Sequence, residues 1–169
     1  MKKSALIVVD PQPSFTQYGK YSIIPHAMSV YRNILKISKF FDVLVVTSKS
    51  MKDDEDFKND IDKGILTKSN GKVNCGFFVK NVDSDNIFSS GYSEELERFL
   101  NINNIERVFL TGPIGDKNVK ETAIDCSKEF DTYFLVDCVR YSDNIKNTID
   151  ILIDNNINIL NSDDISIFR

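Results

Sequence analysis

The side chains able to do chemistry in this sequence gather at the ends of apolar runs. Asp10 closes the run Ala5-Leu6-Ile7-Val8-Val9 and opens Asp-Pro-Gln-Pro-Ser-Phe. Lys80 closes Gly76-Phe77-Phe78-Val79, and Gly112-Pro113-Ile114-Gly115-Asp116-Lys117-Asn118 leads out of Arg107-Val108-Phe109-Leu110. A carboxylate can give or take a proton, and an amine can orient an anion or a water. The free N–H groups of a helix start can hold a developing oxyanion. Gly112 and Gly115 let backbone approach a ligand closely or take unusual dihedrals. Each feature has an ordinary alternative: a turn Asp, a solvated strand-end Lys, a glycine loop before a helix. Singly, each favours the ordinary one, so the argument rests on the elements and words around them.

Those elements alternate. Apolar runs at 5–9, 43–46, 76–79, 107–110, 133–136 and 157–160 have strand character, the first being the continuous type that a strand buried on both faces shows. Between them, residues 26–40, a segment from Ser93 to Leu100, 117–130 and 143–155 carry helical spacing. Residues 49–74 are polar and read as a long connection. Strands separated by helices imply βαβ units. The expectation is one α/β domain over 1–169: a three-layer, Rossmann-like arrangement with a mainly parallel sheet of about six strands flanked by helices. Ligands of such sheets sit beyond the carboxyl ends of the strands. Topology alone therefore selects Asp10, Thr47-Ser48-Lys49, Lys80, Gly112 to Asn118, and Asp137.

Bulk composition narrows the function classes. The chain has 169 residues, 41% hydrophobic and 27% charged, with a formal net charge of -4. Acids and bases are mixed, without the basic stripe that nucleic acid requires. No apolar run reaches membrane-span length, and the short run after Met1-Lys2-Lys3-Ser4 ends at Asp10, unlike a signal peptide. A cytoplasmic protein with a small-molecule ligand or substrate is expected. The three cysteines, Cys75, Cys126 and Cys138, are odd in number and lack Cys-x-x-Cys spacing, which argues against a disulfide framework or a zinc site.

The local words carry a resemblance. Ala5 to Phe15 is similar to the opening strand and Asp-x-Gln-x-x-Phe signature of the isochorismatase-like hydrolase superfamily, which includes nicotinamidases, other cysteine amidohydrolases and isochorismatases. Phe78-Val79-Lys80 with Ser84 and Phe88-Ser89-Ser90-Gly91 looks like its lysine strand and following segment. Thr111-Gly112 through Val119, with Thr122-Ala123 and Asp125, resembles its nucleophile loop and helix, and Val136-Asp137-Cys138 its Asp-Ala strand end. The words run in order from residue 4 to about 140.

The resemblance implies an Asp-Lys-Cys triad with Asp10 as base and Lys80 assisting, and a pocket lined by Phe15, Ile114 and Gly115. It also implies a non-proline cis peptide near Ile114-Gly115 and assembly into dimers or larger homo-oligomers. The nucleophile belongs at the helix start, where dipole and lysine populate a thiolate. Here that position is Asn118, whose carboxamide has no ionisable nucleophile. Cys126 lies eight residues further along the helix, about 12 Å away at helical rise, and reads as core. Nicotinamidase-type members carry an Asp-x-His pair after the second strand, but Thr47 to Asp54 holds no histidine. The sole histidine, His26, reads as a capping or exposed residue, so neither a metal nor another cofactor is expected.

Two function classes follow. One is a degenerate, ligand-binding member in which Asn118 fills the nucleophile's space and hydrogen-bonds Asp10. The other is non-covalent vinyl-ether hydrolysis of the isochorismatase type, with Asp10 as general acid, Lys80 orienting substrate or water, and Asn118 donating a hydrogen bond. An ordinary cysteine hydrolase would require the register to slip by several residues.

Overall fold

The computed structural model describes residues 2–16, 24, 27–51, 74–143 and 145–168. His26 and most of the expected polar connection lie outside the described residues. The first strand, β1 (Lys3–Val8), is apolar almost throughout because both its faces are covered: Ala5 to Val9 are fully buried. It pairs in parallel with β2 (Val43–Ser50) on one side and β4 (Ile105–Gly112) on the other. Beyond these lie β3 (Asn74–Asn81), β5 (Asp131–Val139) and β6 (Asn158–Leu160), completing a six-stranded parallel sheet in the order β3-β2-β1-β4-β5-β6.

The period-two alternation of the strands separates two cores. Leu6, Val8, Leu44, Val46 and Phe109 pack with Val30, Ile34 and Ile37 of helix α1 (Ala27–Ser38). Ala5, Ile7, Val45, Leu110 and Phe134 face the other way, toward Leu96 and Leu100 of α2 (Glu94–Ile102), Ala123 and Cys126 of α3 (Lys120–Cys126), and Leu152 of α4 (Ile145–Asp154). Each fully buried Leu or Ile contributes about 1.5–3 kcal/mol, so both layers are needed to hold the sheet. The Ser93 side chain caps α2 by accepting from Leu96 N, and Glu94, Glu95 and Glu97 suit the positive end of the helix dipole. Among the described residues no helix is long and apolar enough to cross a membrane.

Two expectations about elements change. The helix expected over 117–130 is a π-helical turn, Gly115–Val119, running into a short α3. Ser127 then turns its hydroxyl back onto Ile124 O, a local bond that competes with helix continuation. The polar stretch from 49 does not begin as a loop: Lys49 and Ser50 extend β2, paired with Lys80 and Asn81 of β3.

The strand order reverses at β1, where the chain leaves toward β2 on one side and β4 on the other, the place where open parallel sheets form ligand sites. Val9 N donates to Thr111 O (2.8 Å) and Asp10 N to Thr47 O (3.1 Å), clamping the exit of β1 between both neighbours. Gly112 ends β4 at φ +149, and a Cβ there would stand 2.4 Å from Val9 O. Only glycine fits that approach.

Candidate functional site

Asp10 leaves β1 with φ +47, a left-handed conformation that Asp tolerates better than most residues but that still carries strain. The bend aims its carboxylate back across the strand ends, where it is 1% exposed. Thr47 Oγ1 donates to Oδ1 at 2.9 Å, while Oδ2 receives two donors, Lys49 Nζ at 2.7 Å and Asn118 Nδ2 at 2.6 Å.

The cation on Asp10 is thus Lys49. Its side chain is wholly buried, and its ammonium also donates to Ser89 O at 2.7 Å. Gln12 fixes the backbone beneath it. Lys49 N donates to Gln12 Oε1 at 2.7 Å, and Gln12 Nε2 donates to Lys49 O at 2.8 Å, so a side-chain amide continues the ladder beyond Asp10. Lys80 is the register partner of Lys49 on β3, half-buried, and its ammonium donates to Ser90 O at 3.1 Å. The structure therefore brings Asp10 and Asn118 together and leaves Lys80 one strand further out.

Asn118 sits in the π-turn, a form that recurs at functional sites. Its Nδ2 also donates to Ile87 O at 3.1 Å, while its Oδ1 is buried with no hydrogen-bond partner. Its backbone O accepts from Thr122 Oγ1, which accepts in turn from Gly91 N. The segment Ile87 to Gly91 thus straps the site, giving successive carbonyls to Asn118, Lys49 and Lys80.

Around this cluster Phe15 and Ile114 are buried, as is Gly115, whose N–H donates to Arg140 O. The Phe15 and Phe88 ring centroids lie 6.0 Å apart, and Lys117 Nζ stands 4.3 Å from the Phe88 centroid. The cis peptide expected near Ile114-Gly115 is absent: the described residues contain no cis bond, Ile114 being accommodated at φ -120 and ψ 84 ahead of the π-turn. Open space lies on the β3 side, in a cleft of about 590 Å³ lined by Ser50, Lys80, Asn81, Asp83, Asn86 and Ser89 with Val82. Asp10 and Asn118 do not line it; Ser89 stands between, its hydroxyl buried without a partner.

The cysteines lie elsewhere. Cys126 and Cys138 are buried, and Cys75 is exposed on β3. Burial, reinforced by Asp125, pushes the Cys126 thiol far up; burial and the charge of Asp137 raise Cys138 to about 12. Neither is a thiolate near neutral pH.

Solved structures share this fold. Pyrazinamidase of Pyrococcus horikoshii, in complex with zinc, has a TM-score of 0.75 at 20% identity, covering 95% of this chain and 99% of that one. N-carbamoylsarcosine amidase from Thermoplasma acidophilum has 0.72 at 22%, covering 95% and 97%. An isochorismatase-like hydrolase from Alkaliphilus metalliredigens has 0.70 at 17%, covering 96% and 93%. Neither a protein-family model nor a curated protein matches the sequence. What this chain shares with these three structures is the fold, a parallel sheet flanked by helices.

Zinc, held by the Pyrococcus protein, does not suit the described donors here. No group of three His, Cys, Asp or Glu among them could hold a metal ion, and the end of β2 presents the Lys49 ammonium. A buried cation at that place repels a second one.

Proposed function

We propose that this chain is a ligand-binding member of the isochorismatase-like superfamily that lacks covalent cysteine catalysis. The observation that carries the reading is the buried bond from Asn118 Nδ2 to Asp10 Oδ2. It supports reading Asn118, a carboxamide that cannot form a thioester, as the residue at the position where the resemblance expects a thiolate. Both oxygens of Asp10 are engaged by Thr47, Lys49 and Asn118, and the open cleft lies beside Lys80 instead. Its volume falls within the few hundred to about 1,000 Å³ of small-molecule pockets. Lys80 offers a positive charge there and Asp83 a negative one, with polar contacts from Ser50, Asn81 and Asn86, a lining suited to a small polar molecule whose carboxylate meets Lys80.

The test pairs turnover with binding. Purified protein should leave nicotinamide and isochorismate unhydrolysed, while nicotinate, used as a probe carboxylate, should perturb NMR signals of the cleft. Lys80→Met should weaken that binding roughly tenfold, as loss of one charged hydrogen bond does. Hydrolysis of isochorismate by the wild type, abolished in Asp10→Ala, would overturn the reading in favour of non-covalent vinyl-ether hydrolysis by Asp10 and Lys80.

A further inference from the structure

An amine, a carboxamide and a carboxylate, each at most 1% exposed, meet at a single oxygen: Lys49 Nζ and Asn118 Nδ2 both lie within hydrogen-bonding distance of Asp10 Oδ2. Ligand binding at the Lys80 cleft makes no use of this meeting. We propose that Lys49 and Asn118 react with each other, forming an intramolecular amide cross-link from Nζ to Cγ with Asp10 as the proton-transfer group.

The step balances without any co-reactant. Lys49 Nζ passes a proton to Asp10 and, now neutral, attacks Asn118 Cγ. Asp10 Oδ2, which touches both nitrogens, passes that proton to Nδ2 and takes one in turn from the attacking nitrogen. The oxyanion at Oδ1 collapses to the carbonyl of an amide shared by the two side chains, the Cγ–Nδ2 bond breaks, and ammonia leaves with the proton held by Asp10, as ammonium. One C–N bond forms, one breaks, and nothing is oxidised or reduced.

Three observations support the reaction. The amine and the amide are held against one carboxylate by the fold, and such intramolecular placement can substitute for very high reactant concentrations. The amine, the amide and the carboxylate are each at most 1% exposed, so bulk water does not compete with the amine for Asn118 Cγ. Asp10 Oδ2 contacts both nitrogens between which a proton must move, so one carboxylate oxygen can serve that transfer. The two nitrogens are also braced from behind, Lys49 by Ser89 O and Asn118 by Ile87 O. The product would fasten β2 to the π-turn after β4 across the end of β1, pinning the reversal point of the sheet.

The experiment is intact-mass and peptide analysis of the whole purified chain, held folded near neutral pH. The expected wild-type mass is about 17 Da below the sequence value, the mass of ammonia. Trypsin should fail to cut after Lys49, and the digest should contain one branched peptide joining the segments around Lys49 and Asn118. Asp10→Ala and Lys49→Arg should each keep the full sequence mass, and Asn118→Asp should lose about 18 Da if the acid condenses instead. A wild-type protein at full sequence mass, cleaved normally after Lys49, overturns the proposal. So does a 17 Da deficit mapped to a different asparagine. Because the decisive reading is on wild-type protein, an unstable variant does not obscure it. Nicotinate binding at the Lys80 cleft is measured separately and survives either outcome.

Discussion

Gly112→Ala tests whether the end of β4 is what places Asp10. At Gly112 the backbone has φ +149, and an added Cβ would meet Val9 O at 2.4 Å and Val119 Cγ2 at 2.9 Å. Val119 can shift its methyl, but Val9 O belongs to a backbone tied on both sides, by Val9 N to Thr111 O and Asp10 N to Thr47 O. Backbone strain at such a φ costs about 1–3 kcal/mol, and forcing a methyl into a filled site about 1–3 more. The variant should thus lose about 2–6 kcal/mol, read as a lower midpoint in guanidinium unfolding with an unchanged slope. Gly91→Ala is the control. Its Cβ would meet a side chain, Thr47 Oγ1 at 2.6 Å, which can rotate away. It should cost less stability while releasing the Thr47 bond to Asp10. If Gly112→Ala unfolds within about 0.5 kcal/mol of the wild type, the range of an ordinary surface substitution, the claim of an immovable Val9–Gly112 approach is wrong.

Two further outcomes are expected. Lys49→Met leaves the Asp10 carboxylate buried without a cation and should cost about 3–5 kcal/mol in chemical denaturation, or more where the amide has formed; a loss below about 1 kcal/mol would contradict the burial and pairing of Lys49. An aromatic disulfide reagent at pH 8 should label Cys75 quickly and reach Cys126 and Cys138 only on unfolding, because burial holds both thiols protonated, Cys138 up to about 12. Rapid labelling of a second thiol in folded protein would refute that.

Strand content was readable because β1, β2 and β4 are apolar on both faces, and a run such as Ala5 to Val9 has no other common explanation. Asp10 and Asn118 were readable as strand-end residues of the two elements flanking the sheet reversal, before any geometry was known. Lys49 was selected by the same topology but given no role. Its neighbours Thr47, Ser48 and Ser50 are polar, so the sequence loses its apolar signature three residues before the strand ends. The overlooked signal was parity: Lys49 shares a strand face with Val43, Val45 and Thr47, the face that turns toward Asp10. Lys80 shows the converse. Its surrounding sequence drew it into the expected triad by resemblance, yet β3 is the edge strand, and its ammonium reaches Ser90 O.

The exchange of lysines changes what the site can do. A lysine on an edge strand beside a 590 Å³ cleft can meet a ligand, whereas one on β2, held by Asp10 and Ser89 and wholly buried, cannot do so without the strap moving. Charge neutralisation of Asp10 falls to Lys49, and the open cleft lies beside its register partner Lys80. That division removes the need for Asp10 to stay accessible. Asp10 is buried and its two oxygens are taken by Thr47, Lys49 and Asn118, so a ligand in the cleft meets Lys80 and not the carboxylate.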